Sequence, residues 1–208
     1  MLIDAHSHIN FNSYKDDADQ VIARAREAGV AMLAVGSQQK TSERAVWFAE
    51  HHPDIWAVVG LHPVHLFAQH LDEEESSFDT RVEIFNPEFY RSLVKRSKKV
   101  VSIGECGIDY YRLPENISRQ EVEATQQKVF RAHIDLALEC DLPVMIHCRD
   151  GHEDVLRILE EYRAAGKTVR GNAHCFTGTW HDAERYLALG MYISFTCVIT
   201  FPPRAAEK

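Results

Sequence analysis

The chain has 208 residues, of which 45% are hydrophobic and 26% are charged, and its formal net charge at pH 7 is −8. This length and composition predict one globular domain, 1–208, with enough residues for a substantial core. The negative charge argues against broad nonspecific binding to nucleic acids. No segment approaches the roughly 18 consecutive apolar residues of a membrane span, so we expect no membrane insertion.

The cysteines and the N-terminal residues indicate a reducing compartment. The five cysteines are odd in number and form no Cys-x-x-Cys pair, which predicts free thiols rather than a disulfide framework. No basic stretch followed by an apolar stretch precedes the first predicted strand, so we expect no secretion signal. Together these features predict a cytoplasmic location.

Short apolar runs and amphipathic segments alternate along the chain. Helices are predicted by an amphipathic stripe over Asp16–Ala28, by Pro87 after Asn86, and by caps at Ser118 and Thr179, the first of which opens a helix to about residue 140. Strands that alternate with helices predict a parallel α/β architecture. The apolar runs that predict strands are Leu2–His6, Ala31–Gly36, Ile55–Gly60, Val100–Glu105, Pro143–Cys148, Val169–His174 and Tyr192–Phe195.

The segment Leu66–Phe85 interrupts this alternation. It follows the third predicted strand and contains the acidic run Asp72–Glu75, so we expect an irregular excursion on the face where the strands end. An exposed acidic loop is the simpler interpretation of this excursion, and a substrate lid is the alternative.

Side chains that bind metals follow four of the predicted strands. His6 and His8 lie at the end of the first, Glu105 ends the fourth, and His147 and His174 end the next two. In a barrel of parallel strands these ends converge on one face, and a His-x-His pair on a strand points both imidazoles the same way. The sequence therefore predicts a metal site in which Glu105 bridges two divalent ions. Imidazole and carboxylate ligands without thiolates suit Zn²⁺, Mn²⁺ or Mg²⁺.

Several motifs together carry a resemblance to a known family. With the five candidate ligands, the segments Gly60–Pro63, Gly104–Tyr110, His147–Asp150 and His174–Gly178 resemble the TatD-type metal-dependent deoxyribonucleases, which belong to the amidohydrolase-like barrels. The resemblance implies a TIM-type (β/α) barrel and hydrolysis of DNA phosphodiester bonds, often as a 3′–5′ exonuclease. The partner it implies is DNA, single-stranded or at 3′ ends.

The resemblance also implies roles for individual residues. His6 and His8 match the ligands of the first metal, Glu105 matches the bridging carboxylate, and His147 and His174 match the ligands of the second metal. His62 and Arg149 match positions that line the substrate phosphate site, where an imidazole donates and a guanidinium pairs with phosphate oxygens. Beyond these, Tyr110 and Arg112 are candidate substrate contacts, and for Tyr110 packing is an equal alternative to stacking on a base.

One part of the family pattern is missing. The family has a further strand ending in an aspartate that binds the first metal, whereas residues 201–208 show no such segment; Asp109 and Asp150 follow other strands. We therefore expect a barrel of about seven of eight strands that lacks the last strand and the closing helices. Unpaired outer strands would then expose backbone groups to other chains, so we expect self-association and reduced nuclease activity.

Two alternatives to the nuclease interpretation remain at this point. A hydrolase with the same metal site could cleave another ester or an amide bond, although related barrels that cut amides often bridge their metals with a modified lysine, where Glu105 lies here. The chain could instead be a fragment that binds metal or nucleic acid with little activity, an interpretation supported by the missing aspartate.

Overall fold

A parallel sheet forms the framework of the protein. The computed structural model describes residues 2–73 and 76–200. In chain order the strands of these residues are β1 (Leu2–Ser7), β2 (Val30–Val35), β3 (Ile55–Val59), β4 (His70–Glu73), β5 (Ser76–Asp79), β6 (Val100–Asp109), β7 (Val144–Arg149), β8 (Gly171–Ala173) and β9 (Tyr192–Ile193). Seven of them form one sheet with the order β1-β2-β3-β6-β7-β8-β9, in which every neighbouring pair is parallel.

Six α-helices in the described part of the chain connect these strands. The predicted caps are confirmed: the side chain of Asn86 accepts from the backbone of Glu88, that of Ser118 accepts from Glu121, and Thr179 forms a capping box. Each satisfies backbone donors that a helix leaves free in its first turn. The helices are α1 (Ala18–Glu27), α2 (Gln39–His51), α3 (Pro87–Arg96), α4 (Arg119–Glu139), α5 (His152–Ala164) and α6 (Trp180–Ala188).

Two of these helices were not delimited from the sequence. The N-cap of α2 is Gln38, which forms a capping box with Thr41, and glutamine is not among the residues that usually signal a helix start. The N-cap of α5 is Gly151, which offers no side-chain cap. Both helices also pack against the core, and their buried residues include Val46 and Leu156.

The sheet curls into an open half-barrel. His6 on β1 and His174 after β8 stack with their ring centres 3.8 Å apart, although five strand spacings separate β1 from β8 in the sheet. In a flat sheet those spacings would amount to about 24 Å. The contact therefore requires strong curvature, and the predicted TIM-type barrel with about seven strands is confirmed. Within the described residues the outer strands are β1, where Leu2 and Ile3 are 70% and 53% exposed, and β9.

The excursion after β3 interrupts the helix–strand alternation as predicted, and its described residues contain two short paired strands that the sequence does not predict. Strands β4 and β5 pair as an antiparallel hairpin, with His70 opposite Asp79. Its base is fixed because the hydroxyl of Thr80 donates to the carbonyl of Phe67 over 2.6 Å, and Glu83 accepts from the backbone of Gln39 at the start of α2 over 3.0 Å. The acidic residues at positions 74 and 75 lie outside the described residues.

No helix in the described part of the chain is long and apolar enough to cross a membrane.

Candidate metal centre

The carboxylate of Glu105 on β6 lies at the centre of five imidazoles. Glu105 is only 4% exposed, so its charge requires polar partners nearby. The ring nitrogens that approach its two oxygens are those of His174 at 2.8 Å, His147 at 3.2 Å, His62 at 3.4 Å, His6 at 3.5 Å and His8 at 3.8 Å. Residues distant in the sequence meet here because the C-terminal ends of parallel strands converge.

His6 and His8 form a pair at the end of β1. Their Nε2 atoms are 3.3 Å apart; His6 lies on β1 and His8 directly follows its last residue, so both side chains face the same side. The Nδ1 of His8 donates to the carbonyl oxygen of Val35, at 3.0 Å, which leaves the lone pair on Nε2 and directs it towards Glu105. The Nδ1 of His6 is buried without a hydrogen-bond partner among the described residues.

His147 lies between two carboxylates of the neighbouring strand β6. Its Nδ1 is 3.2 Å from Glu105 and its Nε2 is 3.1 Å from Oδ2 of Asp109, which is fully buried. A Cβ at Gly107 would collide with the carbonyl oxygen of His147, so glycine permits this close approach of β6 and β7. Burial lowers the pKa of His147, but Asp109 and Glu105 outweigh it and raise this pKa to about 9.

The imidazoles around Glu105 keep its carboxylate ionised. Burial alone would raise the pKa of Glu105, yet the nearby His62, His174 and His6 hold it well below its usual value. Burial, reinforced by the nearby His147, lowers the pKa of His62 well below its usual value. A buried anion surrounded by imidazoles has the donor chemistry that divalent cations require, because a ligating imidazole gives up its proton when the ion binds.

Two groups of side chains are arranged closely enough to bind a metal ion. Within each, the candidate ligand atoms all lie within 4.8 Å of one another; one group is His6, His8 and Glu105, and the other is His62, Glu105 and His147. His62, which we expected to contact phosphate, thus lies at ligand distance. His174 contacts Glu105 directly, and its Nδ1 is buried without a partner in the described part of the chain. The ring nitrogens that face the Glu105 carboxylate, rather than the unpaired Nδ1 atom of His174, fit a bound cation.

Asp109 is part of this site and was given no role from the sequence. Glu105 and Asp109 are both buried on β6 and both contact the ring of His147. The signal was present, because residues four apart in a strand share a face. It was not recognised because the predicted strand ended at Glu105, whereas β6 continues to Asp109.

Arg149 and two tyrosines border the cluster. Tyr110, proposed for stacking or packing, is 6% exposed and donates its hydroxyl to Asp154 over 2.8 Å, which is a packing role. Tyr111 is 52% exposed, and the guanidinium carbon of Arg149 lies 3.7 Å from its ring centre. Arg112 lies 3.4 Å from Asp109.

Comparisons with known proteins agree with this geometry. The family model described as TatD related DNase matches residues 3–208. The uncharacterized metal-dependent hydrolase YabD of Bacillus subtilis is 36% identical over 204 residues, which cover 97% of this chain and 71% of that protein. The 3′-5′ ssDNA/RNA exonuclease TatD of Erwinia tasmaniensis is 36% identical over 208 residues, covering 99% of this chain and 72% of that protein. The crystal structure of YJJV, a TatD homolog from Escherichia coli K12, covers 97% of this chain and 70% of its own with a TM-score of 0.77 and 28% identity.

These similarities confirm the resemblance that the motifs carried and the barrel fold that it implied. The match extends along nearly the whole chain rather than over isolated motifs. A DNase hydrolyses phosphodiesters. The family match therefore also identifies the protein as a hydrolase that acts on ester bonds. The chain belongs to the TatD-related DNase family.

Proposed function

We propose that this protein hydrolyses phosphodiester bonds of single-stranded DNA from 3′ ends, using two divalent metal ions bound at the histidine–carboxylate cluster. The observation that carries the proposal is the buried carboxylate of Glu105 with five imidazole nitrogens between 2.8 and 3.8 Å from it. The substrate and polarity are supported by the 36% identical exonuclease of Erwinia tasmaniensis, whose name states both.

The ligand set that we propose follows the two ends of the Glu105 carboxylate. His6 and His8 approach Oε2, while His147 and His174 approach Oε1. We assign the first pair to one ion, the second pair to the other, and Glu105 to both. The donor set contains no thiolate, which suits Mg²⁺, Mn²⁺ or Zn²⁺. When bound, two such ions would supply an activated water and would stabilise the attacking and leaving oxygens of phosphoryl transfer.

His62 and Arg149 are proposed to bind the phosphate. The Nδ1 of His62 accepts from the backbone N–H of Val64 over 3.2 Å, so the ring proton is on Nε2, which faces the Glu105 cluster at 3.4 Å. A neutral imidazole in this tautomer can donate to a phosphate oxygen. Arg149 supplies a positive charge at the end of β7, two residues after His147, where it can pair with a second oxygen.

Hydrolysis of end-labelled DNA tests the proposal. We expect single-stranded DNA with a free 3′ end to be shortened in the presence of Mg²⁺, Mn²⁺ or Zn²⁺ and to remain intact with excess chelator. Glu105→Gln removes the shared charge and should lower the rate by about 100-fold or more. Glu50→Gln, which changes an exposed glutamate on α2, is the matched control and should leave the rate unchanged.

The same assay includes the outcomes that contradict the proposal. Hydrolysis of carboxylic esters or amides but not of DNA would assign the site to a different bond. Metal binding without turnover of any of these substrates would identify a binding fragment. Equal digestion of DNA with blocked and free 3′ ends would reject the proposed polarity.

We also propose that the chain is one domain, that it resides in the cytoplasm and that it self-associates. The one-domain proposal is supported by a seven-stranded sheet whose strands extend from β1 to β9. The location is supported by the free thiols of Cys106, Cys140, Cys148 and Cys175, since disulfides are rare in reducing compartments. The self-association is supported by exposed apolar side chains on the outer strand β1.

A further inference from the structure

An exposed tyrosine lies beside the metal centre and has no part in the proposed chemistry. Tyr111 follows the C-terminal end of β6, the strand that carries Glu105, and is 52% exposed, whereas its neighbour Tyr110 is 6% exposed. The ends of parallel strands form the face on which the cluster lies. The exposed ring is therefore on the side from which a substrate would approach.

A buried carboxylate links this tyrosine to the cluster. One oxygen of Asp109 accepts from the backbone N–H groups of Tyr111 over 3.1 Å and Arg112 over 3.0 Å. Its other oxygen is 3.1 Å from Nε2 of His147. Because Asp109 is fully buried, the turn that carries Tyr111 is anchored to a side chain that contacts His147, whose ring in turn contacts Glu105.

Arg149 covers part of the Tyr111 ring and still has its charge available. Its guanidinium carbon lies 3.7 Å from the ring centre, a distance typical of a cation–π contact. Among residues 2–73 and 76–200, no carboxylate forms an ion pair with Arg149. A guanidinium over an aromatic ring still presents N–H groups that can bind a phosphate.

We propose that Tyr111 is a specificity-determining residue that stacks on one base of a single-stranded nucleic acid, while Arg149 binds the phosphate adjacent to that base. The inference rests on the proposed nuclease function and adds a contact to the base, which metal ions and phosphate ligands do not provide. Every base has a π-face, so such stacking tolerates any sequence. It requires a single strand, because base pairs in a duplex are covered on both faces by their neighbours.

The test measures coupling between the ring and a base by fluorescence anisotropy. The probe is a short labelled single-stranded DNA with uncleavable phosphorothioate links, used with Mn²⁺ and the complete protein. Versions of the probe carry an abasic residue at each of the last three 3′ positions in turn. For Tyr111→Ala we expect binding of the intact probe to weaken about tenfold, the loss of one base–aromatic stack.

The decisive result is that the losses of affinity caused by Tyr111→Ala and by the abasic residue do not add. One abasic probe should bind the wild type about tenfold more weakly, yet should bind Tyr111→Ala no more weakly than the intact probe does. Tyr111→Phe keeps the ring and should bind like the wild type. Trp47→Ala removes an aromatic side chain of similar exposure, 49%, from α2 and should also bind like the wild type.

Failure of this inference is separable from failure of the proposed function. Additive effects at all three abasic positions, or no binding of the probe by the wild type, would overturn the stacking role. Such a result would leave metal-dependent hydrolysis of ordinary DNA, measured separately, as evidence for the proposed function. Coupled binding without hydrolysis would overturn the proposed function and support the stacking contact.

Discussion

Asp109 is placed to control the protonation and the orientation of the neighbouring His147. It lies fully buried on β6 and approaches Nε2 of His147, while Glu105 approaches the other ring nitrogen. Two carboxylates beside one imidazole favour its protonated form. A carboxylate hydrogen-bonded to the outer nitrogen of a ligating histidine also orients the ring for a metal. Asp109 is therefore expected to set both the charge and the direction of His147.

Replacing Asp109 by asparagine should lower the pKa of His147. In the wild type, burial lowers this pKa, and Asp109 and Glu105 together raise it to about 9. Removing one of the two negative charges should shift it down by about one unit or more. The measurement is an NMR titration of the histidine ring signals in the presence of a chelator. Asp150→Asn removes an exposed carboxylate one residue beyond β7, and a comparable shift with that variant would contradict the assignment to Asp109.

Helix α4 fixes the segment that carries His62. The Nδ1 of His133 on α4 donates to the carbonyl oxygen of Val129, at 2.8 Å. Its Nε2 must then accept the backbone N–H of Leu61, which lies 3.1 Å away. His133 is fully buried, so this bond requires a neutral ring. A helix on the outside of the barrel thus holds the residue directly before a candidate phosphate ligand.

The stability of the protein should fall in acid because of His133. Burial lowers the pKa of His133 from 6.5 to about 4, although its hydrogen bond to Val129 opposes the shift. The contribution of neutral His133 to the unfolding free energy is complete above pH 6.5 and is lost as the pH falls towards 4. Between these values this histidine takes up a proton only in the unfolded chain. The loss amounts to about 3 kcal/mol of unfolding free energy.

Urea unfolding at a series of pH values measures this effect. His133→Gln should show a shallower fall in unfolding free energy between pH 6.5 and 4 than the wild type does. His51→Gln changes an exposed histidine on α2 and should follow the wild type. Burial also lowers the pKa of His65 to about 4, so some decline should remain in the His133 variant. Parallel curves for the wild type and His133→Gln would refute the prediction.

The two outer strands are the surfaces through which we propose that whole molecules associate. In the described residues β1 pairs only with β2, and β9 pairs only with β8. Leu2 and Ile3 on β1 are 70% and 53% exposed, and Tyr192 on β9 is 76% exposed. An exposed apolar outer strand offers backbone donors and acceptors to another chain. His6 lies on the same strand as Leu2 and Ile3, so association there would occur next to the metal centre.

A charge on the outer strand should prevent this association. We expect the sedimentation coefficient of the wild type to increase with protein concentration and that of Ile3→Lys to stay near the monomer value, because a lysine on an outer strand opposes pairing. Ile84→Lys places the same charge at a loop isoleucine that is 84% exposed and should behave like the wild type. A wild type that remains monomeric throughout, or an equal effect of both substitutions, would contradict the prediction.

The predicted elements differ from the structure mainly at boundaries that no common cap or turn residue marks in the sequence. Strand positions followed from apolar runs, and three helix starts followed from caps at Asn86, Ser118 and Thr179. The extension of β6 to Asp109 and the starts of α2 and α5 were missed. None of these boundaries carries a common cap signal: α2 begins at a glutamine cap, α5 begins at a glycine without a side-chain cap, and β6 continues by pairing with β7.

The sequence alone determined the parallel barrel architecture and the family, and it predicted the five candidate ligands. It could do so because strand periodicity and local motifs reside in neighbouring residues. The tertiary structure alone decided that His62 approaches Glu105 at 3.4 Å, that Asp109 contacts His147, and that Tyr111 rather than Tyr110 is exposed. These contacts depend on how far the sheet curls and how closely its strands approach. Both are set by packing across the whole barrel, which no short stretch of sequence contains.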